Sequence, residues 1–376
     1  MEHTKNRLRD PASGKKKLHL ELLRILAAYL VIFNHTGARG FFLFAQRAMD
    51  SASFWVYMIP SVVCRAAVPV FFCISGALML ARDQEPLWVI WKKRIGKILF
   101  TIAAFGLFNC LWDSVAQGEA FNIKQLLVAL YTGYLNGETW WYGHLWYLYT
   151  YLAFLMCLPF LRSMVSRTEN VHFLYLIGLA LVFDNILPAA EYLLTADRYH
   201  LYSEAVPSWI LAQCFLYPCV GYFLEHRVDA GMRKKMLSWC FTASVLGTVL
   251  TCWLIRCEGI RTGTLDESSS QRFFDYFVLV NCVTIYLAVK EVCHRISMKR
   301  LEPVILSAGK CTFGIYLIHI MVLQSRPATS LLVAMTSHGV NNMAAVLLQC
   351  LAVFVVSWGI VRILLLIPGV RKLVGG

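Results

Sequence analysis

The sequence predicts an all-α, polytopic integral membrane protein with about ten transmembrane helices and both termini in the cytoplasm. Hydrophobic residues make up 58% of the 376 residues, and the mean hydropathy is +0.58. Several apolar runs reach about 20 residues, the length with which a helix spans a bilayer. This much apolar surface exceeds what a single soluble core could cover. The short alternating segments of a transmembrane β-barrel do not occur.

The predicted spans were delimited with Pro, Gly and charged residues as boundary signals. They lie near residues 18–37, 54–80, 97–116, 144–161, 171–190, 206–224, 236–256, 272–290, 303–323 and 341–366. Residues 1–17 form a basic tail, and the first span is expected to stay uncleaved because no small-residue cleavage site follows it. The whole chain, residues 1–376, is therefore interpreted as one membrane domain without internal repeats.

Lys and Arg residues are distributed unevenly on the two sides of these spans. Of the 35 in the chain, 23 lie in the tail, the C-terminus and the loops on their side, 8 lie in the opposite loops, and 4 lie within or at the ends of spans. Because positively charged loops remain on the cytoplasmic side, both termini are expected inside. An apolar segment at 121–135 is too short to cross, so we expect an interfacial or re-entrant helix on the outer side, within the outward-facing region 117–143.

Charge and cysteine content exclude several classes of function. The net charge is +13, but the basic residues stand in short clusters between apolar runs, so nucleic-acid binding is not supported. The 13 cysteines form no CxxC pair and no Cys/His cluster with zinc spacing, which predicts no metal and no disulfide framework. No GxGxxG, P-loop or GxSxG pattern indicates a nucleotide hydrolase or a serine esterase.

The first span, which begins "LHLELLRILAAYLVIFNHT", carries three ionisable residues, Glu21, Arg24 and His35. Arg24 and His35 are eleven residues apart, which places them within about 20° of each other around the helix axis. Along the axis they are separated by roughly 16 Å. Glu21 lies on the same side and can pair with Arg24. One interpretation is that Arg24 and His35 extend to the two membrane interfaces. Their shared face favours a site, since a guanidinium suits a phosphate and a histidine suits proton removal from a hydroxyl.

Four sequence motifs carry a resemblance to a known family. They are the Arg24 and His35 pair separated by ten residues, "RAAVPVFFCISGALML" at 65–80 with "KKRIGKI" at 92–98, "GHLWYLYTYLAFLMCLPFL" at 143–161 and "AGKCTFGIYLIHIMVL" at 308–323. In this order they resemble the acyltransferase family 3 membrane proteins, which O-acylate surface sugars, and most closely the branch acting on enterobacterial common antigen. Glu21 stands where that family usually has Asp.

The resemblance and the chemistry of the residues together give a set of candidate site residues. We expect His35 as general base and Arg24 as a catalytic, donor-binding cation. Donor-binding candidates are Arg24, Arg65, Lys93 and Arg94. Acceptor-side candidates are Glu21, Ser75, His144, Trp146, Tyr147, Tyr316 and His319.

Most of these candidates also have a structural interpretation. Arg65 is either a donor contact or an orienting group, and Ser75 and Gly76 could form a close helix-packing point. Trp146 and Tyr147 suit an interfacial aromatic belt, and the 92–97 basic cluster suits stop-transfer charges. Tyr316 and His319 suit one polar stripe of a packed helix, and the neighbours Asp184 and Asn185 are interpreted as a helix-end feature.

The predicted function is the transfer of an acyl group, expected to be acetyl, from acyl-coenzyme A to a hydroxyl of a cell-surface or lipid-linked glycan. The expected location is the bacterial inner membrane, with the lipid bilayer, the acyl donor and the glycan acceptor as partners and no metal. Direct transfer is the simpler mechanism, and an acyl-enzyme stays open. The competing interpretation is a transporter or exporter of glycans or acyl groups, because intramembrane charges also mark transport pathways.

Overall fold

The computed structural model describes residues 17–117, 144–195, 213–265 and 270–375, with short pieces at 122–124, 127, 134–135 and 138–139. Over these residues the chain is a helical bundle with one antiparallel pair of two-residue strands, β1 (Tyr134–Leu135) and β2 (Glu138–Thr139). The predicted interfacial helix at 121–135 and the first residues of the 206–224 span fall largely outside the described residues.

Fourteen α-helices of seven or more residues occur in the described ranges. They are α1 Leu18–Asn34, α2 Ala52–Cys64, α3 Ala67–Met79, α4 Gly96–Gln117, α5 Trp146–Arg167, α6 Asn170–Leu181, α7 Leu187–Thr195, α8 Gln213–His226, α9 Ala230–Thr262, α10 Val278–Arg295, α11 Glu302–Gln324, α12 Arg326–Ser337, α13 Asn342–Leu364 and α14 Pro368–Val374. Shorter segments are the 3₁₀ turns Gly37–Arg39, Leu43–Gln46 and Gln271–Asp275, the single turn Leu87–Val89, and the π-helical segments Ile90–Ile95 and Val182–Ile186.

Seven helical segments in the described part of the chain are long and apolar enough to cross a membrane. They are Ala52–Met79, Trp146–Arg167, Asn170–Thr195, Ala230–Thr262, Gln271–Arg295, Glu302–Gln324 and Asn342–Leu364. The polytopic, all-helical class is thereby confirmed. The count of ten stays a prediction, as does the orientation of the termini, because α1 has only 17 residues and α8 is described only from Gln213.

The second predicted span is not one straight helix, because it breaks between α2 and α3. Pro69 has no N–H to donate to the carbonyl of Arg65 four residues earlier, and its ring crowds that carbonyl. The Ala66 N–H instead bonds the Val63 carbonyl at 3.2 Å, which tightens the turn. The break leaves Arg65 at a helix end inside the bundle.

The fifth predicted span contains a second irregularity of the same origin. Pro188 lies four residues after Asp184 and cannot donate to its carbonyl, and the chain widens into the π-helical segment Val182–Ile186 between α6 and α7. Asp184 and Asn185 were interpreted as a helix-end feature, and this was wrong. They belong to a widened turn in the middle of the segment Asn170–Thr195.

Helix α1 lies at the centre of the bundle, packed against α3, α11 and α13. Its Leu23 and Ile32 side chains are fully buried. Next to it, α3 and α8 approach closely at Gly76 and Gly221, where an added Cβ would overlap the backbone of Pro218 or of Cys73. The structural interpretation of Gly76 as a packing point is therefore confirmed.

Candidate active site

Two cavities lie one after the other along the face of α1 that carries its polar residues. The first, of about 470 Å³, is lined by Arg24, Lys93 and Lys97 among others, and we call it the basic cavity. The second, of about 610 Å³, is lined by His35 and His144 among others, and we call it the histidine cavity. Two residues, Tyr147 and Tyr316, line both cavities. If the N-terminus is cytoplasmic, as the charge distribution predicts, the basic cavity faces the cytoplasm.

Arg24 is held in the basic cavity by its predicted partner. Its Nη1 donates to Oε1 of Glu21 at 2.9 Å, which offsets part of the cost of placing a guanidinium inside a membrane protein. Gly309 of α11 provides the space for this pair, because a Cβ at that position would overlap Oε2 of Glu21. The carboxylate was predicted as an acceptor contact, but its position makes it the partner of Arg24.

Arg94 also reaches the basic cavity, and it is anchored from behind. Its guanidinium makes a bidentate interaction with Glu85, with N–O distances of 2.8 and 3.0 Å. Arg162 donates to the same carboxylate at 3.1 Å. The hydrogen bonds from Arg94 hold the pKa of the Glu85 carboxyl below its usual range despite its partial burial, and those from Arg162 add to this effect.

The basic cavity has an excess of positive charge. Arg24 and Arg94 have carboxylate partners, whereas Lys93, Lys97 and Lys310 have no ion pair within the described ranges. Ser75 lies in the same cavity, and its hydroxyl donates to the Phe71 carbonyl at 2.9 Å. A space with this charge attracts an anion with several negative groups.

Three histidines meet at the histidine cavity: His35 directly after α1, His144 just before α5, and His319 within α11. The ring centroid of His35 lies 5.1 Å from that of His319 and 6.3 Å from that of His144, and the latter two are 5.4 Å apart. His319 is fully buried and His144 is 5% exposed, whereas His35 is partly accessible from the cavity. His319 was predicted as an acceptor contact. The structure instead places it behind His35, where it contacts that ring and lines neither cavity.

The hydrogen bonds around His35 define its neutral tautomer. Its Nδ1 lies 2.8 Å from the Val31 carbonyl, which can only accept, so Nδ1 carries the proton. His319 in turn has Nδ1 at 2.7 Å from the Tyr316 carbonyl, which leaves Nε2 of His319 as an acceptor for the Nδ1–H of His35 at 3.3 Å. Nε2 of His35 is therefore the nitrogen with a lone pair, as a general base requires.

The boundary between the cavities consists of two aromatic rings. The centroids of Tyr147 and Tyr316 are 5.5 Å apart in an edge-to-face arrangement. The Tyr316 hydroxyl donates to the His144 carbonyl, and Tyr147 packs against Phe72 at 5.1 Å and Tyr151 at 5.8 Å. These contacts hold both rings in place, so the two cavities are adjacent but separated by one layer of side chain.

Polar groups line another part of the histidine cavity, and one of them, Asp275, was not singled out from the sequence. Arg65 lies here, across the tyrosines from Lys93, with its Nη2 donating to Asp275 at 2.8 Å. Of its two predicted roles, a donor contact would place Arg65 in the basic cavity, which it does not line, and an orienting group fits this location. Asp184 and Asn185 also line this part of the cavity. The prolines that break the helices were the available signal for these polar positions.

The remaining candidates divide between the cavities. Trp146 and His144 line the histidine cavity, as an acceptor-side role requires. Lys93 lines the basic cavity with Arg24, in agreement with a shared donor site. The structure thus separates a cavity lined by cations from a cavity lined by His35, with Tyr147 and Tyr316 as their boundary.

Comparison with known proteins agrees with this arrangement. We found no match among curated proteins or among solved structures. A family model described as an acyltransferase domain, that of acyltransferase family 3, matches residues 18–362 and so covers both cavities and most of the chain. This integral membrane protein therefore belongs to the acyltransferase family 3.

Proposed function

We propose that this membrane acyltransferase transfers an acetyl group from acetyl-coenzyme A to a hydroxyl of a cell-surface or lipid-linked glycan in the bacterial inner membrane. One observation carries the proposal: a cationic cavity and a cavity with an oriented histidine meet at the Tyr147 and Tyr316 pair. The resemblance to the branch acting on enterobacterial common antigen supports the choice of acceptor class.

The chemistry of the basic cavity supports a coenzyme A thioester as donor. Such a donor combines several phosphate charges with a slender, mostly uncharged arm that ends in the thioester. Arg24 provides a fork of donors suited to a phosphate or to an amide carbonyl of the arm, and Lys93 and Lys97 provide further positive charge. In this arrangement the thioester would lie where the cavity ends, at the two tyrosines.

The histidine cavity suits a sugar acceptor. Trp146 offers an aromatic face on which a sugar ring can stack, and Asn185 and Asp184 offer polar partners to its hydroxyls. Nε2 of His35, with its lone pair, is the group that would accept the proton of the attacking hydroxyl.

In the proposed step the acceptor oxygen loses its proton to Nε2 of His35 and attacks the thioester carbonyl carbon. The new C–O ester bond forms as the C–S bond breaks, and the departing thiolate takes the proton that His35 accepted, so that the products are the acetylated glycan, free coenzyme A and neutral His35. No residue carries the acetyl group in this direct transfer. His319 and the Val31 carbonyl keep His35 in the productive tautomer throughout.

The test uses purified full-length protein in phospholipid nanodiscs with acetyl-coenzyme A and a panel of lipid-linked glycans. We expect thiol release that depends on a glycan, together with a mass increase of one acetyl group on that glycan. Movement of a glycan across vesicles without thioester consumption would favour the transporter and overturn the proposal. A radiolabelled acetyl group retained on the protein in the absence of acceptor would replace direct transfer by an acyl-enzyme.

A further inference from the structure

A third cavity lies beside the C-terminal helix and has no role in the mechanism above. It encloses about 1140 Å³ and is lined by four cations, Lys92, Lys97, Lys310 and Arg371. Its other lining residues are Gly96, Phe100, Leu365, Leu366, Pro368 and Gly375. We call it the C-terminal cavity.

The C-terminal cavity adjoins the basic cavity. Lys97 of α4 and Lys310 of α11 line both. The two spaces therefore meet at these lysines, and the basic cavity extends from them to Tyr147 and Tyr316.

Helix α14 and the residue after it form one wall of the C-terminal cavity. Helix α14 packs against α4, α11 and α13, and Lys97 donates from Nζ to the Gly375 carbonyl. The same Nζ lies 5.7 Å from the centroid of the Phe313 ring. Lys97 thus lies where the two cavities meet, and Arg371 of α14 lines the C-terminal cavity.

Among the described residues, no acidic group offsets the charge of the C-terminal cavity. No described carboxylate lines it, and none of its four cations takes part in an ion pair with another described residue. The aromatic ring of Phe100 and the side chains of Leu365 and Leu366 provide an apolar surface beside the charges. Phosphates next to a flat, partly apolar base match this combination.

We propose that the C-terminal cavity binds the nucleotide head of the donor, the adenosine 3′-phosphate 5′-diphosphate part, while the thioester arm passes Lys97 and Lys310 into the basic cavity. The assignment rests on the proposed acyl-coenzyme A donor. A phospholipid headgroup shares the phosphate chemistry. The donor accounts for the position of this cavity directly beside the basic cavity, which a lipid would not require.

The test compares acetyl-coenzyme A with acetyl-pantetheine, a thioester that has the arm but lacks the nucleotide. Arg371→Gln and Lys310→Gln should each raise the KM for acetyl-coenzyme A about tenfold, since each removes hydrogen bonds to a charged group. Because Arg371 does not line the basic cavity, the effect of Arg371→Gln with acetyl-coenzyme A should fall on KM and not on kcat. Arg371→Gln should leave the KM for acetyl-pantetheine unchanged. Lys235→Gln, an exposed cation on α9 away from all three cavities, is the matched control.

A binding measurement makes the test independent of turnover. Adenosine 3′,5′-bisphosphate should bind the wild-type protein and the Lys235→Gln control alike, and about tenfold more weakly to Arg371→Gln. Equal KM changes for both thioesters in Arg371→Gln, or no binding of the bisphosphate, would overturn the nucleotide site. A difference between wild type and Arg371→Gln that appears only in nanodiscs with anionic lipid would assign the cavity to a lipid headgroup. Absence of turnover by a wild-type protein that binds the bisphosphate would refute the proposed reaction and leave the site standing.

Discussion

The basic cavity and the histidine cavity lie along one face of α1, yet they are lined by different kinds of side chain. In the basic cavity the cations end long, flexible side chains, and the Arg24 side chain is 29% exposed. In the histidine cavity three rings from three parts of the chain contact one another, and two of them are almost completely buried. Flexible cations can follow a ligand with several phosphates, whereas proton transfer requires a group held at one position. The comparison indicates a binding end and a reaction end.

The largest expected effect tests the reaction end. His35→Ala should lower kcat about 10²- to 10⁴-fold, because it removes the general base. The affinity for acetyl-coenzyme A should stay nearly unchanged, because His35 does not line the basic cavity. Both quantities can be measured on the same nanodisc preparation, by thiol release and by direct donor binding.

The control for this change is His172→Ala, which removes an exposed histidine near the start of α6. It should leave kcat at the wild-type value. A His35→Ala protein with unimpaired turnover would remove the mechanism and leave the membrane fold untouched.

The next effect tests the binding end. Arg24→Ala should weaken donor binding about 10- to 100-fold, the range for hydrogen bonds to a charged group. Arg24→Lys should recover only part of this loss, because an ammonium lacks the bidentate fork. Isothermal titration calorimetry with acetyl-coenzyme A measures the donor affinity of each variant. The yield of folded protein must be compared first, because Glu21 loses its ion-pair partner in these variants. Equal affinity in Arg24→Ala and wild type would mean that this cation serves packing alone.

A third prediction concerns the boundary between the basic cavity and the histidine cavity. Tyr147→Ala removes a ring that lines both cavities, so a longer acyl chain gains space at the junction. We expect the ratio of kcat/KM for hexanoyl- to acetyl-coenzyme A to rise about tenfold, which corresponds to the burial of about two of the four added methylenes at about 0.8 kcal/mol each. Tyr151→Ala is the matched control. Tyr151 lies one helical turn from Tyr147 and lines the basic cavity but not the histidine cavity. An equal rise in both variants would contradict a boundary role for Tyr147.

A smaller effect tests how the base is held. His319→Ala should lower kcat about fivefold, because the loss of one hydrogen bond typically costs about 1 kcal/mol. His319→Gln should restore part of the rate, since an amide oxygen can accept the Nδ1–H of His35 in place of Nε2. Thiol-release rates of His319→Ala and His319→Gln at saturating donor measure this difference. If Gln were no better than Ala, His319 would act through packing and not by positioning His35.

Hydrophobicity and helical spacing were sufficient to predict the polytopic class, the polar face of α1 and the Glu21 and Arg24 pair, because these depend on residues close in sequence. The contact of His35 with His319 depends on α1 meeting α11, a pairing that periodicity does not encode. The sequence left two roles open for Arg65 for a related reason. Its side chain direction follows from the break that Pro69 introduces, and its partner Asp275 is distant in sequence.

The smallest expected effect concerns the support of the basic cavity, outside the predicted spans. Glu85 joins Arg94, which lines that cavity, to the buried Arg162. Its pKa in the folded protein lies below that of an unfolded glutamate, which is about 4.3. The ion pairs of Glu85 therefore stabilise the fold fully above that value, and this contribution disappears as the pH falls through the lowered folded-state pKa.

Glu85→Gln should consequently lower the unfolding temperature at pH 7, and the difference from wild type should shrink progressively below a pH of about 4. Differential scanning fluorimetry in a mild detergent, repeated along a pH series, measures both. Asp83→Asn, which changes an exposed carboxylate two residues away, provides the control. Because the Glu85 side chain is 29% exposed, solvent screening keeps the effect small. A difference in unfolding temperature that stayed constant at all pH values would mean that the Glu85 side chain contributes by its shape and not by its charge. The ion pair with Arg94 would then not stabilise the fold.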